Sequence, residues 1–226
     1  MPSVVLIMLD GLRPDALTQA NTPRLDAFMQ SGAYTLAARS VMPSITLPCH
    51  TSIFHSVPPS RHGIRDNVWH SMARPVVGLV DAAKNAGKRS AFFYNWEPLR
   101  DLNRPENLEF SFFVNTSYLP DGDRPVVEAA VRYMPEYRFD FTFVYFGLID
   151  TTGHGYGWMS DAYMHQIEMT DAYIGMVLDV LPPDATVIIH ADHGGHERDH
   201  GTEDPLDMTI PWMIGGAGVK PGYVIQ

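Results

Sequence analysis

The chain has one cysteine in 226 residues. An internal disulfide framework is therefore excluded, and the cytosol becomes the default compartment. Long apolar runs are also missing. The first, Val4 to Leu9, is six residues long with no basic residue before it. That is too short for a secretory leader or a membrane span, so no membrane partner is expected. Positive charge is scarce: 16 Lys and Arg stand against 26 Asp and Glu, a formal charge of −10. This disfavours a nucleic-acid polymer as partner, because such proteins normally carry a basic patch. Low-complexity tracts and internal repeats are absent, and nothing in the sequence speaks to oligomeric state.

What is present suits a globular protein, with 45% hydrophobic and 19% charged residues. The length fits one α/β domain over residues 1–226, or one with a modest insertion. Val4–Met8 is a continuous apolar run rich in β-branched residues, as in a buried parallel strand. Strand-like stretches recur at Tyr34–Val41, Ser90–Tyr94, Phe141–Phe146, Thr186–His190 and Ile210–Ile214. Helical stretches fall between most of them. Thr22-Pro23 opens one that runs to Gln30 with Gly32 as its stop, and Val76–Asn85 ends at Gly87. The clearest covers Ser160 to Leu181, with Tyr163, Ile167, Ile174, Leu178 and Leu181 on one stripe. This alternation predicts a mainly parallel sheet with helices on both faces. The stretch 96–123, irregular and with prolines at 98, 105 and 120, reads as a small insertion or lid at the carboxyl edge of the sheet.

Ligands gather at the carboxyl ends of parallel strands. Asp10, Asp150 and Asp192 each follow such an end closely. With Thr46, His154, His193 and His200 they form an oxygen and nitrogen set suited to two zinc or manganese ions. Three negative ligand charges against four positive ones would make that site locally cationic on an acidic protein. Gly153 and Gly155 argue against a helix at Asp150 and His154, so those side chains are expected on a loop. Beyond Val187-Ile188-Ile189, the residues His190, His193, His196 and His200 put four of the ten histidines within eleven positions.

Chemistry at such a centre needs a nucleophile. Ser44 and Thr46 offer hydroxyls and Cys49 the only thiol. Leu47-Pro48 suggests a helix starting just after Thr46, making Thr46 its N-cap beside free backbone N–H groups, an anion site. A bound metal would lower the pKa of that hydroxyl. Only its helix position favours Cys49.

Together these segments resemble the alkaline phosphatase superfamily, and within it the type I phosphodiesterase/nucleotide pyrophosphatase family. The resemblance runs from Leu9-Asp10-Gly11 to Pro211-Trp212. Its most specific part is Thr46-Leu47-Pro48 followed by His62-Gly63-Ile64 and Asn67, 21 positions after Thr46. It implies that Thr46 is the nucleophile and that Asn67 holds a phosphate oxygen. It implies one metal on Asp10, Thr46, Asp192 and His193, and a second on Asp150, His154 and a later histidine. His200-Gly201 matches a pattern found in some relatives, so His200 is preferred to His196. Relatives commonly continue past Gly215-Gly216-Ala217-Gly218 into a further strand and helix, whereas Lys220–Gln226 remain here, which could leave a strand edge unpaired. Sulfatases place Cys or Ser before x-Pro-x-Arg, and Thr46-Leu47-Pro48-Cys49-His50 lacks that arginine.

The resemblance implies hydrolysis of a phosphodiester or phosphoanhydride through a phosphothreonine, with two divalent ions, zinc before manganese, and a small-molecule phosphate ester as substrate. Tyr94 and Trp96 are candidates to stack on a base or an apolar leaving group, or else core aromatics; Tyr156 and Trp158 stand similarly. The alternatives are a phosphomonoesterase, a phosphonate hydrolase, a phosphotransferase, or a metal-binding module without activity.

Overall fold

The computed structural model describes residues 3–104 and 106–226. In chain order the elements begin with β1 (Val4–Leu9), α1 (Pro14–Leu17), α2 (Pro23–Ser31), β2 (Ala33–Arg39) and α3 (Thr46–His55). Then come α4 (Pro59–His62), α5 (Leu79–Asn85), β3 (Ser90–Tyr94), β4 (Phe110–Phe113), α6 (Arg124–Tyr137) and β5 (Phe141–Phe146). The last are α7 (Leu148–Tyr156), α8 (Asp161–Asp179), β6 (Thr186–Ala191), α9 (Pro205–Met208), β7 (Thr209–Gly215) and β8 (Tyr223–Val224). The strands form one sheet of order β4-β3-β5-β1-β6-β7-β2-β8. Pairing is parallel from β4 to β6 and antiparallel on both sides of β7, so the sheet is mixed and mostly parallel.

Period-two alternation sorts the strand residues onto two apolar cores. Val5, Ile7, Leu9, Val144 and Phe146 pack with Val126, Ile167, Ile174 and Val177 of α6 and α8. Leu6, Met8, Phe143 and Tyr145 face the other way, with Leu47 and Phe54 of α3 and Val80 of α5. Helices thus cover both faces. No helix among the described residues is long and apolar enough to cross a membrane.

Gly32 is the stop that the sequence predicted, and three other stretches differ from expectation. Gly32 ends α2 with φ of −121°, outside the left-handed region. Its requirement is proximity: a Cβ there would lie 2.2 Å from the Ile214 carbonyl oxygen. The stretch 96–123 is also less irregular than its prolines suggested. It holds a short 3-10 turn at Glu97–Leu102, and β4, which extends the sheet by pairing Ala91 with Phe110 and Tyr94 with Phe113. Part of it therefore belongs to the sheet; Pro105 lies outside the described residues. At the other edge β8 pairs in parallel with β2 over Ala33 and Tyr34, so that edge is partly taken up.

The largest departure is α7, a helix where glycines predicted a loop. Its first amides are met by the buried Asp123 carboxylate, which accepts from Gly147 N at 3.0 Å and Leu148 N at 3.3 Å. This tertiary cap offsets glycine's low propensity of about 1 kcal/mol per residue. Gly153 is there for room, since a Cβ would sit 2.7 Å from the Trp158 ring. Gly153→Val should therefore lower unfolding free energy by about 1–3 kcal/mol in urea titration. An unchanged midpoint would show that Trp158 does not constrain that position.

Candidate active site

β1 lies between β5 and β6 in register, with Leu9 opposite both Phe146 and Ala191. The residues after those three strand ends therefore meet at one edge of the sheet. Asp10 follows β1, Asp192 follows β6, and α7 leads Asp150 back over the same edge. The helical spacing that replaced the expected loop places Asp150 and His154 one turn apart, on one face.

Two clusters result. Ligand-type atoms of Asp10, Asp192 and His193 lie within 4.8 Å of one another, as do those of Asp150, His154 and His200. His193 Nε2 stands 3.2 Å from Asp10 Oδ1 and 3.5 Å from Asp192 Oδ2. His154 Nε2 and His200 Nε2 each stand 3.5 Å from an Asp150 oxygen. The clusters touch, for the His193 and His200 rings stack with centroids 3.8 Å apart. His196 joins neither: its Nδ1 donates to Asp207 Oδ1 at 2.7 Å.

The three clustered imidazoles share one arrangement. Nδ1 donates to a backbone carbonyl, of Gly194 in His193, Arg198 in His154 and Ser44 in His200, at 2.7 to 2.8 Å. That orients each ring and turns its Nε2 toward the carboxylates, the usual posture of a metal-bound histidine. Asp10 Oδ1, Asp150 Oδ1 and Asp192 Oδ2 are buried without a hydrogen-bond donor. Bare carboxylate oxygens packed this close to one another and to imidazole nitrogens need protons or a cation between them.

Charge points the same way. Burial raises the Asp150 carboxyl well above its ordinary range, and the Asp10 charge adds to it. Burial and Asp10 push Asp192 up to about 8. Burial alone would lower His193, but Asp192 and Asp10 hold its imidazole up, to about 10. Burial also opposes the Asp10 carboxylate, and the His193 hydrogen bond and charge outweigh it, leaving that group below its ordinary range. One imidazolium cannot balance three carboxylates packed this closely. A pair of divalent cations would, and the donor set fits zinc or manganese.

The sequence predicts Thr46 as the N-cap of α3; the cap is Ile45, and Thr46 is the first residue of the helix. Its hydroxyl is buried, 3.2 Å from His193 Nε2. The exposed Asn67 accepts from Leu47 N through its amide oxygen at 2.9 Å, which sets its side chain against the first turn of α3. The other nucleophile candidates are occupied. Ser44 donates to the Thr202 carbonyl oxygen, and burial, then Asp192, pushes the Cys49 thiol up. Tyr94 is buried in the second core, stacked on Phe113 at 5.1 Å. Trp96 is half-buried at the strand end, its Nε1 donating to Tyr118 Oη at 3.2 Å. Trp158 is buried, with its indole N–H on the Gly11 carbonyl oxygen, while Tyr156 is exposed.

Sequence reasoning missed two residues beneath this site. Tyr145 Oη donates to Asp10 Oδ2. His50 Nδ1 donates to the Thr46 carbonyl oxygen at 2.8 Å and lies 3.4 Å from Asp192 Oδ2. Each carried a signal: His50 is one helical turn from Thr46, and Tyr145 brings the one hydroxyl among the rings of Phe141-Thr142-Phe143-Val144-Tyr145-Phe146.

Residues 4–210 match the model of a family described as type I phosphodiesterase / nucleotide pyrophosphatase. The chain is 27% identical over 220 residues to Homo sapiens ectonucleotide pyrophosphatase/phosphodiesterase family member 1, covering 85% of this chain and 23% of that protein. It thus spans about a quarter of that relative's length. Among solved structures it is similar to murine ectonucleotide pyrophosphatase/phosphodiesterase 5 in its inactive threonine-to-alanine form with AMP, at a TM-score of 0.84 and 14% identity, covering 100% of this chain and 91% of that one. It is also similar to the phosphonate monoester hydrolase of Agrobacterium radiobacter, at a TM-score of 0.77 and 14% identity, covering 100% and 70%. At these identities the structures speak for a common fold, the alkaline phosphatase-like one. With the family match running through every segment that builds the two clusters, this chain belongs to the type I phosphodiesterase/nucleotide pyrophosphatase family of the alkaline phosphatase superfamily.

Proposed function

We propose that the protein hydrolyses small phosphodiesters or phosphoanhydrides through a covalent phosphothreonine at Thr46. The observation carrying this is the Thr46 hydroxyl, 3.2 Å from His193 Nε2 and at the amino end of α3. Asp10, Asp192 and His193 would hold one divalent cation with Thr46, and Asp150, His154 and His200 a second. Zinc or manganese bound there would lower the pKa of the threonine hydroxyl and offset charge on the phosphate oxygens.

Thr46 Oγ attacks phosphorus in line with the leaving oxygen. The bond to that oxygen breaks as the threonyl–phosphorus bond forms, and water then cleaves the ester and restores the hydroxyl. The Asn67 NH2 group and the backbone amide of Thr46 would face the equatorial oxygens, since Leu47 N is held by Asn67, position 48 is proline and Cys49 N bonds the Ile45 carbonyl oxygen. Asn67→Ala should lower kcat/KM by about 100- to 1,000-fold, as loss of one oxyanion donor does elsewhere. Steady-state assay would show this, and a change below about threefold would remove Asn67 from the site. Trp96, half-buried just beyond the end of β3, remains the candidate for contact with a planar leaving group, whereas burial of Tyr94 in the core favours its structural reading.

Comparing bis(4-nitrophenyl) phosphate with 4-nitrophenyl phosphate tests the reaction class. The diester should be turned over faster, and a preference for the monoester would reject this reading. A phosphonate monoester is the second reading, supported by the fold shared with a hydrolase of such esters. An aryl phosphonate ester in the same assay separates the two. The cytosolic expectation is part of this proposal and rests on the single buried cysteine.

A further inference from the structure

We propose that Tyr145 is the positioning residue that sets Asp10 for cation binding, an inference resting on the two-cation reading above. Asp10 and Asp192 share one posture, with one oxygen held and the other bare. Asp192 Oδ1 accepts from Gly11 N at 3.2 Å and His193 N at 2.9 Å, leaving Oδ2 without a donor. Asp10 Oδ2 accepts from Tyr145 Oη, leaving Oδ1 without a donor, 3.2 Å from His193 Nε2. The difference lies in what does the holding. Asp192 is set by backbone amides, whereas Asp10 is set by a side-chain hydroxyl carried on β5, opposite Met8.

The surroundings fit that role. β5 is buried throughout and supplies Phe141 and Phe143 on the face that carries Tyr145, so packing alone would be served by Phe at 145. A phenol placed there must find a partner or lose the solvation of its hydroxyl. Asp10 is that partner. The ring is held edge-on to His50 with centroids 5.5 Å apart. Gly147 leaves space for its far end, because a Cβ there would lie 2.9 Å from Tyr145 Cε1 and 3.1 Å from its hydroxyl oxygen. Removing the hydroxyl frees the Asp10 carboxylate to rotate or to turn both oxygens inward. The binding site then has to be ordered by the cation itself.

Tyr145→Phe and the unaltered protein, both stripped of metal, should be titrated with zinc by calorimetry and their zinc content measured after gel filtration. Thermal unfolding of the metal-free forms is recorded beside this. The unaltered protein should take two equivalents. The variant should bind one equivalent as before and the other about 10- to 100-fold more weakly, with metal-free midpoints alike. Equal affinity for both equivalents overturns the role of Tyr145 and leaves the two-cation reading standing. Failure of the unaltered protein to bind zinc or manganese overturns both. Equal weakening of both equivalents with a lowered metal-free midpoint marks a packing role and also overturns the proposal. If metal-free Tyr145→Phe does not fold, Gly147→Ala supplies the test by crowding the ring. Unchanged zinc affinity in that variant overturns the proposal as well.

Discussion

Thr46→Ala should lower turnover of bis(4-nitrophenyl) phosphate by at least ~1,000-fold at saturating zinc, the scale seen when a covalent nucleophile is removed. The circular dichroism spectrum should not change. The Thr46 hydroxyl bonds no backbone group of its own helix, and its one close polar neighbour is His193. Loss of that oxygen therefore costs chemistry and little packing. Cys49→Ala, three positions along the same helix, is the contrasting variant: its thiol is buried and held protonated, so turnover should stay within about twofold. A Thr46→Ala protein that retains more than a tenth of the rate would place the nucleophile elsewhere.

Removal of metal should have the second large effect, and its pH dependence has a definite sign. Chelation should abolish turnover, with zinc or manganese restoring it. It should also lower the unfolding midpoint, since a ligand at about 1,000 times its Kd stabilises by about 4 kcal/mol. In the metal-free protein Asp192 is raised from 3.8 to about 8, and His193 from 6.5 to about 10. In each the folded form binds more protons than the unfolded chain between its two values. Stability is therefore present in full below the lower value and is lost as pH rises through the upper one. Asp10, shifted downward, has the opposite sign, but it acts only below about pH 4. The metal-free midpoint should consequently fall from pH 7 to pH 9, above the range in which His50 and His200, lowered by burial to about 4, act with the opposite sign. With metal bound the order reverses, because the ligands must shed protons to bind it. Differential scanning calorimetry across that range would show the two slopes, and parallel slopes would contradict a cation site at these carboxylates.

Much of the site could be read without coordinates because its placement follows from local rules. Val4–Leu9, Phe141–Phe146 and Thr186–Ala191 are apolar runs of strand length, and a buried parallel strand ends where a carboxylate appears. Three such ends carry Asp10, Asp150 and Asp192. Parallel strands put their carboxyl ends on one edge, so convergence was a consequence of topology. The stretch 96–123 was less legible, because β4 has four residues and its pairing with β3 is a long-range choice.

Local rules failed wherever a distant group decided the outcome. Gly153 and Gly155 lower helix propensity, yet α7 forms because Asp123, more than twenty positions earlier, caps it. The resemblance preferred His200 to His196 through the His200-Gly201 pair, but no local rule says how either ring is turned. They part because Asp207 captures His196, while the Ser44 carbonyl turns His200 toward Asp150. The Cys49 thiol is held protonated because the fold buries it beside Asp192.

The amino-acid order by itself therefore determined the strand ends, the identity of the groups placed there and the family, since periodicity and residue chemistry are carried within a few positions. Only the tertiary structure decided how the His200 ring is turned toward Asp150, that Asp150 and His154 share a helical face, and that Tyr145 and His50 underlie the first cluster. Those outcomes depend on hydrogen bonds and burial between residues far apart in the chain, where no local pattern records the partner.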